Sequence, residues 1–252
     1  MDDAGQRSGG LPGFGRMVMD RARALRLWRL TVKAANPVTP RMRRISFTAP
    51  DMADLDWTPG QDLVLNLPGA PRRHYTIRRI KDGLLDIDFV LHGHGAAAGW
   101  ARDALPGDRI EAMGPRGRTR LAANADWHLF LGDETCLPGI FAMLEALPAG
   151  AKAFAFLEVE TLAERQPLQS AADVTLDWVV RDGPAQPNDL LLNRLKGFAP
   201  PPGEGHAYVI GETSGVRAER QWLIASGWPR ERITAEGYWR PGRIGGHDHV
   251  RD

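Results

Sequence analysis

The chain of 252 residues predicts two consecutive folding units, a small antiparallel β barrel and then a parallel, doubly wound α/β sheet. Three observations carry this. Residues from about Leu27 to Gly117 read as short strands, punctuated by Pro59-Gly60, Asp82-Gly83 and Pro106-Gly107. After Asn124, apolar runs alternate with helical stretches, the pattern of a parallel sheet. With 43% hydrophobic and 25% charged residues, the composition is that of a globular protein with a real core.

In the first unit the clearest strand is 84–91, where Leu85, Ile87, Phe89 and Leu91 share one face and Asp86 and Asp88 take the other. Runs at 28–33, 45–48, 63–67, 72–78 and 109–113 complete a six-stranded antiparallel barrel, with one short helix at 96–105. In the second unit the strands fall at 127–131, 154–159, 174–180, 208–210 and 233–235, and the helices at 138–147, 190–198 and 215–226. The expected divisions are an N-terminal arm at 1–24, the barrel at 25–122, the sheet at 123–243 and a tail at 244–252.

Lys and Arg total 32 against 31 Asp and Glu, a net charge of +1, which argues against a dedicated nucleic-acid binder. The single cysteine, Cys136, excludes an intrachain disulfide and any cysteine-built zinc or iron–sulfur site, so no resident metal is expected. No run approaches the ~18 apolar residues of a membrane span, and the first ten residues lack the apolar core of a secretion signal. A cytoplasmic monomer is the expectation. The Arg-rich stretch from Arg16 to Leu30 reads as a loose arm entering the first strand, with contact to an anionic membrane surface as the alternative.

The most informative segment is Arg72-Arg73-His74-Tyr75-Thr76-Ile77-Arg78. Its Arg-x-Tyr-Thr core puts Arg73 and Tyr75 on one face of a strand and Thr76 on the other. A dinucleotide cofactor needs a cation for its pyrophosphate, an aromatic for a ring and a small hydroxyl near a polar ring atom, and this tetrapeptide carries all three. An exposed strand of alternating charge would look the same. Further on, His92-Gly93-His94-Gly95-Ala96-Ala97-Ala98-Gly99-Trp100-Ala101 places small residues at a helix start, where backbone N–H groups and the helix dipole attract an anion. It is not the Gly-x-Gly-x-x-Gly fingerprint. In the second unit, Gly132-Asp133-Glu134-Thr135 joins a strand to a helix, at the end of the sheet where ligands bind.

Arg-x-Tyr-Thr, His-Gly-x-Gly with Trp-Ala, Pro106-Gly107-Asp108, Gly114-Pro115-Arg116-Gly117, Gly132-Asp133-Glu134-Thr135-Cys136-Leu137-Pro138, Gly211-Glu212 and Tyr238-Trp239-Arg240 with Gly242 follow one another in an order that resembles the siderophore-interacting protein family. These are FAD-containing ferric-siderophore reductases of the ferredoxin-reductase superfamily, and the resemblance spans roughly 27–243. It implies an FAD-binding barrel and an NAD(P)-binding sheet. It implies that Arg73 contacts the FAD phosphates, that Tyr75 lies against the flavin or ribityl and that Thr76 hydrogen-bonds near the flavin N5 edge, making Tyr75 and Thr76 the catalytic pair. The loop Gly95, Ala96, Ala97, Ala98 receives the pyrophosphate, and His74, His92, Trp100 and Trp239 are grouped with the cofactor. Where the family places Pro and then Ser or similar, this chain has Ala96-Ala97-Ala98, so backbone donors must do that work.

The same resemblance assigns Gly132, Asp133, Glu134 and Thr135 to the nicotinamide cofactor, with Thr135 able to donate to a phosphate. Arg165 and Arg181 are candidates for the 2′-phosphate of NADPH, and Glu158 and Glu160 would repel it. Family precedent tilts towards NADPH, with NADH still open. Cys136 is read as a small buried filler. The partner is a ferric siderophore, often anionic, met by a basic wall of Arg72, Arg78, Arg79, Arg116 and Arg240. His92, His94, His247 and His249 are not assigned iron. A flavin reductase serving another acceptor, or a non-catalytic siderophore-binding module, are the alternatives.

Overall fold

The computed structural model describes residues 26–93, 95–243 and 248–250. Residues 1–25, which include the arm, His94 and residues 244–247 and 251–252 of the tail lie outside them, and with them the His94 and His247 readings.

The first unit is a single antiparallel sheet of β1 (Leu27–Thr39), β2 (Met42–Thr48), β3 (Asp62–Asn66), β4 (Arg73–Thr76), β5 (Arg79–Lys81), β6 (Leu84–Val90) and β7 (Arg109–Arg116), with helix α1 at Ala96–Asp103. Its order is β4-β3-β7-β1-β2-β6-β5. The sheet curls until its ends meet. The Arg78 N–H donates to the Asp86 carbonyl at 2.9 Å, and the Tyr75 ring on β4 packs on Phe89 of β6 with centroids 4.3 Å apart. The strand expected at 72–78 is broken, so there are seven strands rather than six. The buried Ile77 donates its N–H to Gln61 at 3.0 Å, after which the chain leaves β3 and pairs with β6 instead.

Leu30, Ile45, Phe47, Leu63, Leu65, Leu85, Ile87 and Phe89 fill the interior, all fully buried. Each such side chain contributes about 1.5–3 kcal/mol relative to exposure. The other face of β6 is not open to water. Asp86 and Asp88 are buried and satisfied across the sheet: Arg44 forks onto Asp88 at 2.7 and 2.8 Å, while Ser46 and Arg79 donate to Asp86 at 2.5 and 2.7 Å.

The second unit contains β8 (Trp127–Gly132), β9 (Lys152–Val159), β10 (Asp173–Val180), β11 (Gly205–Glu212) and β12 (Ile233–Trp239), all parallel. The short β13 (Asp248–His249) adds antiparallel to β12. Helices are α2 (Leu137–Glu145), α3 (Leu190–Lys196) and α4 (Thr213–Ala225). The order β10-β9-β8-β11-β12 reverses direction between β8 and β11, creating the crevice where such sheets take ligands. At that reversal only glycine fits. A Cβ on Gly132 would lie 2.2 Å from Cys136 Sγ and 2.9 Å from the Ile210 carbonyl.

Helix α2 is apolar nearly all round, and every residue from Leu137 to Leu144 is buried, as the helix lies between the sheet and the barrel. The two units are fastened to one another. Met42 of β2 sits in the core of the second unit. Arg78 forks onto Glu145 at 2.7 and 2.6 Å, Arg41 pairs with Glu160 at 2.7 Å, and buried Glu164 accepts from the Thr39 hydroxyl and the Arg41 N–H. Among the described residues no helix is long and apolar enough to cross a membrane.

Candidate cofactor site between the two units

A cavity of about 490 Å³ opens where β4 meets α2 and the end of β12. All four residues of the Arg-x-Tyr-Thr strand line it, together with Gly95 to Ala98, His92, Thr135, Pro138, Tyr238, Trp239 and Arg243. The register explains how one strand serves on both faces. Arg73 and Tyr75 stand opposite Leu65 and Leu63 on the barrel side, while His74 and Thr76 stand opposite Val64 and Asp62.

Each side chain is held from behind. His74 Nδ1 lies 2.9 Å from the buried Asp62 carboxylate. Thr76 is buried against α2, where a Cβ on Gly139 would come within 3.0 Å of its methyl group. Its hydroxyl hydrogen-bonds that of Tyr238, which reaches across from β12, and burial holds the Tyr238 phenol well above its ordinary range. Burial also pushes the Tyr75 hydroxyl up to about 12, so it stays neutral. No carboxylate pairs with Arg73 among the described residues.

The helix start facing this cavity is bare. Gly95, at the N-cap of α1, has no side chain to cap it, and among the described residues no side chain takes the N–H groups of Ala96 to Ala98. An uncapped helix start, an unpaired guanidinium and flat aromatic walls at Tyr75 and Trp239 fit the phosphates and rings of a flavin dinucleotide. These residues are of the chemical kinds that the phosphates and rings of FAD would need.

The family description "Siderophore-interacting FAD-binding domain" matches residues 66–119, and "Siderophore-interacting protein" matches 125–242. A siderophore utilization protein from T. fusca is 33% identical, superposes with a TM-score of 0.81, and is covered over 97% of its length by 90% of this chain. The chain belongs to the siderophore-interacting protein family. Ferric vibriobactin reductase ViuB of Vibrio cholerae is 36% identical over 181 residues, 68% of this chain, which spans 65% of that relative's length. The NADPH-dependent ferric-chelate reductase of Escherichia coli is 29% identical over 178 residues, 68% of this chain and 67% of its own.

Several residues that the sequence grouped at the family's site lie elsewhere. Trp100 is a packing residue, stacked at 6.4 Å on Phe47 and tilted at 5.8 Å against Phe89. The Gly-Asp-Glu-Thr turn, expected at the nicotinamide cofactor, divides: Gly132 is buried behind Cys136, Asp133 lines a separate pocket between β8 and β11, and Thr135 reaches the cavity. The Thr135 hydroxyl donates to Asp133 at 2.5 Å, so it is already engaged. Asp133 also accepts from the Trp239 indole at 2.7 Å, and burial raises its carboxyl to about 6. Glu134 forks onto Arg181 at 2.6 and 3.0 Å.

Most of the expected basic wall is engaged or placed elsewhere. Arg78 is 5% exposed and belongs to the Glu145 clamp. Arg79 is spent on Asp86. Arg72 lines a separate shallow depression with Val64, Asn66 and Glu111. Arg116 lines a different cleft of about 850 Å³ with Trp28, Trp57 and Arg118. Arg240 is exposed just beyond β12 and lines none of these cavities. The residues missed were Asp62, Tyr238 as a partner of Thr76, and Arg243 at the cavity wall. The Tyr238-Trp239-Arg240 motif pointed to this neighbourhood, but nothing local said which of its side chains turns inward.

Proposed function

We propose that this protein is a ferric-siderophore reductase that holds FAD in the cavity between barrel and sheet, takes hydride from NADH or NADPH, and releases Fe(II) from the siderophore in the cytoplasm. The observation that carries the reading is the convergence of Arg73, Tyr75, Thr76 and the bare start of α1 on one cavity that Trp239 closes from the second unit. When bound, the flavin supplies the conversion of one two-electron hydride into two single-electron deliveries, so that one dinucleotide reduces two Fe(III) and releases one proton.

The chain's own residues bind and orient. Arg73 and the N–H groups of Ala96 to Ala98 hold the phosphates. Tyr75, neutral at any physiological pH, offers an aromatic wall without charge. Thr76, fixed by Tyr238 and Gly139, presents a polar atom at a position set by both units at once. Arg243 is exposed at the wall of the cavity and Arg240 beyond it, where they attract an anionic chelate. Fe(II) binds hard oxygen donors less tightly than Fe(III), so reduction itself frees the metal.

The test is reconstitution with FAD, followed by anaerobic reduction of a ferric siderophore read with a ferrous-specific chromophore. A yellow protein whose flavin bleaches with a nicotinamide donor and recolours on adding the chelate is expected. A folded protein that stays colourless with excess FAD overturns the reading. Arg73→Ala removes a charge-assisted contact and should weaken FAD about 10- to 100-fold, the effect of losing ~1.5–3 kcal/mol. Equal flavin affinity in titrations of variant and parent would remove Arg73 from the phosphate site.

A further inference from the structure

Beside the flavin cavity, the crevice between β8 and β11 narrows to a pocket of about 30 Å³ lined by Asp133, Glu158, Asn188, Glu212, Glu219 and Trp239. Its donors are already taken by the chain's own carboxylates. Glu212 accepts the Ser214 and Gly215 N–H groups at 2.8 and 2.9 Å, closing the start of α4. Asp133 takes the Thr135 N–H and hydroxyl at 2.8 and 2.5 Å, just ahead of α2. Arg181, just past β10 and with its side chain 3% exposed, is shared between Glu134 at 2.6 Å and Glu158 at 3.0 Å. Asn188 also donates to Glu158, at 2.9 Å.

One carboxyl is left over. Glu219 of α4 is 4% exposed and lines the pocket, yet no donor among the described residues reaches it. Among the described residues no arginine or lysine lines this pocket, and Arg181 beside it is spent on Glu134 and Glu158. Arg41, the next cation towards the barrel, is paired with Glu160. Arg165 stands exposed beyond the turn at Leu162–Glu164 and lines neither this pocket nor the flavin cavity.

In open α/β sheets a carboxylate at this crevice suits the hydroxyls of a ribose, and an arginine suits a 2′-phosphate. A phosphate monoester brings about 1.5–2 further negative charges, and here it would meet Glu158 and Glu212 with no guanidinium lining the pocket. We infer that the crevice selects against the 2′-phosphate, so that NADH rather than NADPH is the preferred donor. The inference rests on the reductase reading and adds donor choice to it.

The test separates the two. Protein loaded with FAD is titrated with NAD⁺ and NADP⁺ by calorimetry, and the flavin is reduced anaerobically with NADH and NADPH while absorbance is followed. Tighter binding of NAD⁺ and faster reduction by NADH, each by about tenfold or more, are expected, with the gap shrinking at high salt. Glu158→Gln, which frees part of Arg181, should narrow the gap; the wild-type ratio stands by itself if that variant does not fold. Parity, a preference for NADPH, or reduction by neither donor overturns the inference. Dithionite-reduced protein is mixed separately with a ferric siderophore. Flavin reoxidation with Fe(II) formation there keeps the reductase reading whatever the donor result, and its absence sinks that reading alone.

Discussion

Two helix starts in this molecule are finished in opposite ways. At α1 the N-cap is a glycine and the next three residues are alanines, so the backbone N–H groups face the cavity between the units with no side-chain acceptor among the described residues. At α4 the N-cap is Glu212, whose carboxylate already holds the N–H groups of Ser214 and Gly215. Both ends carry the same dipole and the same orphan donors. The first carries no side-chain acceptor at its cap and the second has been supplied with one. An anion site is thus defined by the absence of a built-in acceptor as much as by the donors themselves.

The contrast can be broken at three places. The largest effect is expected at the anionic crevice. The Glu219 carboxyl is raised from 4.5 to about 8, first by burial and then by Glu158, Asp133 and Glu212. With its folded value above its unfolded one, its contribution to stability is full below pH 4.5 and is lost as pH rises through about 8. Glu219→Gln should therefore stabilise the fold by ~2–5 kcal/mol at pH 9 and change little at pH 4, as read by urea unfolding at both values. A gain that does not vary with pH would show that burial of the charge is not what Glu219 costs.

The next effect is smaller and has two signs. Gly95 has an extended backbone with φ −61°, and a Cβ there meets nothing within 4 Å. Gly95→Asp would give α1 the acceptor that α4 possesses. It should add ~0.5–1 kcal/mol of stability while weakening FAD at least about tenfold. Stabilisation with unchanged FAD affinity would mean that the phosphates do not use this helix start. The smallest effect concerns the bond that joins the two units at the site. Thr76→Val keeps the volume and removes the hydroxyl contact with Tyr238, for ~1 kcal/mol and a fall in Tm of ~2–4 °C. A calorimetric scan showing no change would mean that the Thr76 hydroxyl adds nothing to the join between the two units.

What was legible in the sequence is what local chemistry decides. The alternation of 84–91 and the strand–helix grammar after Asn124 gave the two units, because period and turn residues act over a few positions. Arg73 to Thr76 stood out because three functional side-chain types fall within one short strand. Pairing across the fold was not legible. Asp88 and Asp86 read as a solvent face until Arg44, Ser46 and Arg79 came to them from other positions. Arg78 and Arg181 read as free cations, yet Glu145, Glu134 and Glu158 lie far away in sequence or in another unit. Strand β5 was hidden for the same reason, since the break at Ile77 follows from a bond to Gln61.

Cys136 gives the fold a built-in gauge. The only sulfhydryl in the chain is sealed behind Gly132, its Sγ within 3.0 Å of the Asp133 carbonyl and 3.2 Å of that of Ile210. Burial also keeps it in the thiol form. An alkylating dye can therefore reach it only when the seam between β8 and β11 parts, and the rate of dye uptake measures how often the sheet breathes at its switch point.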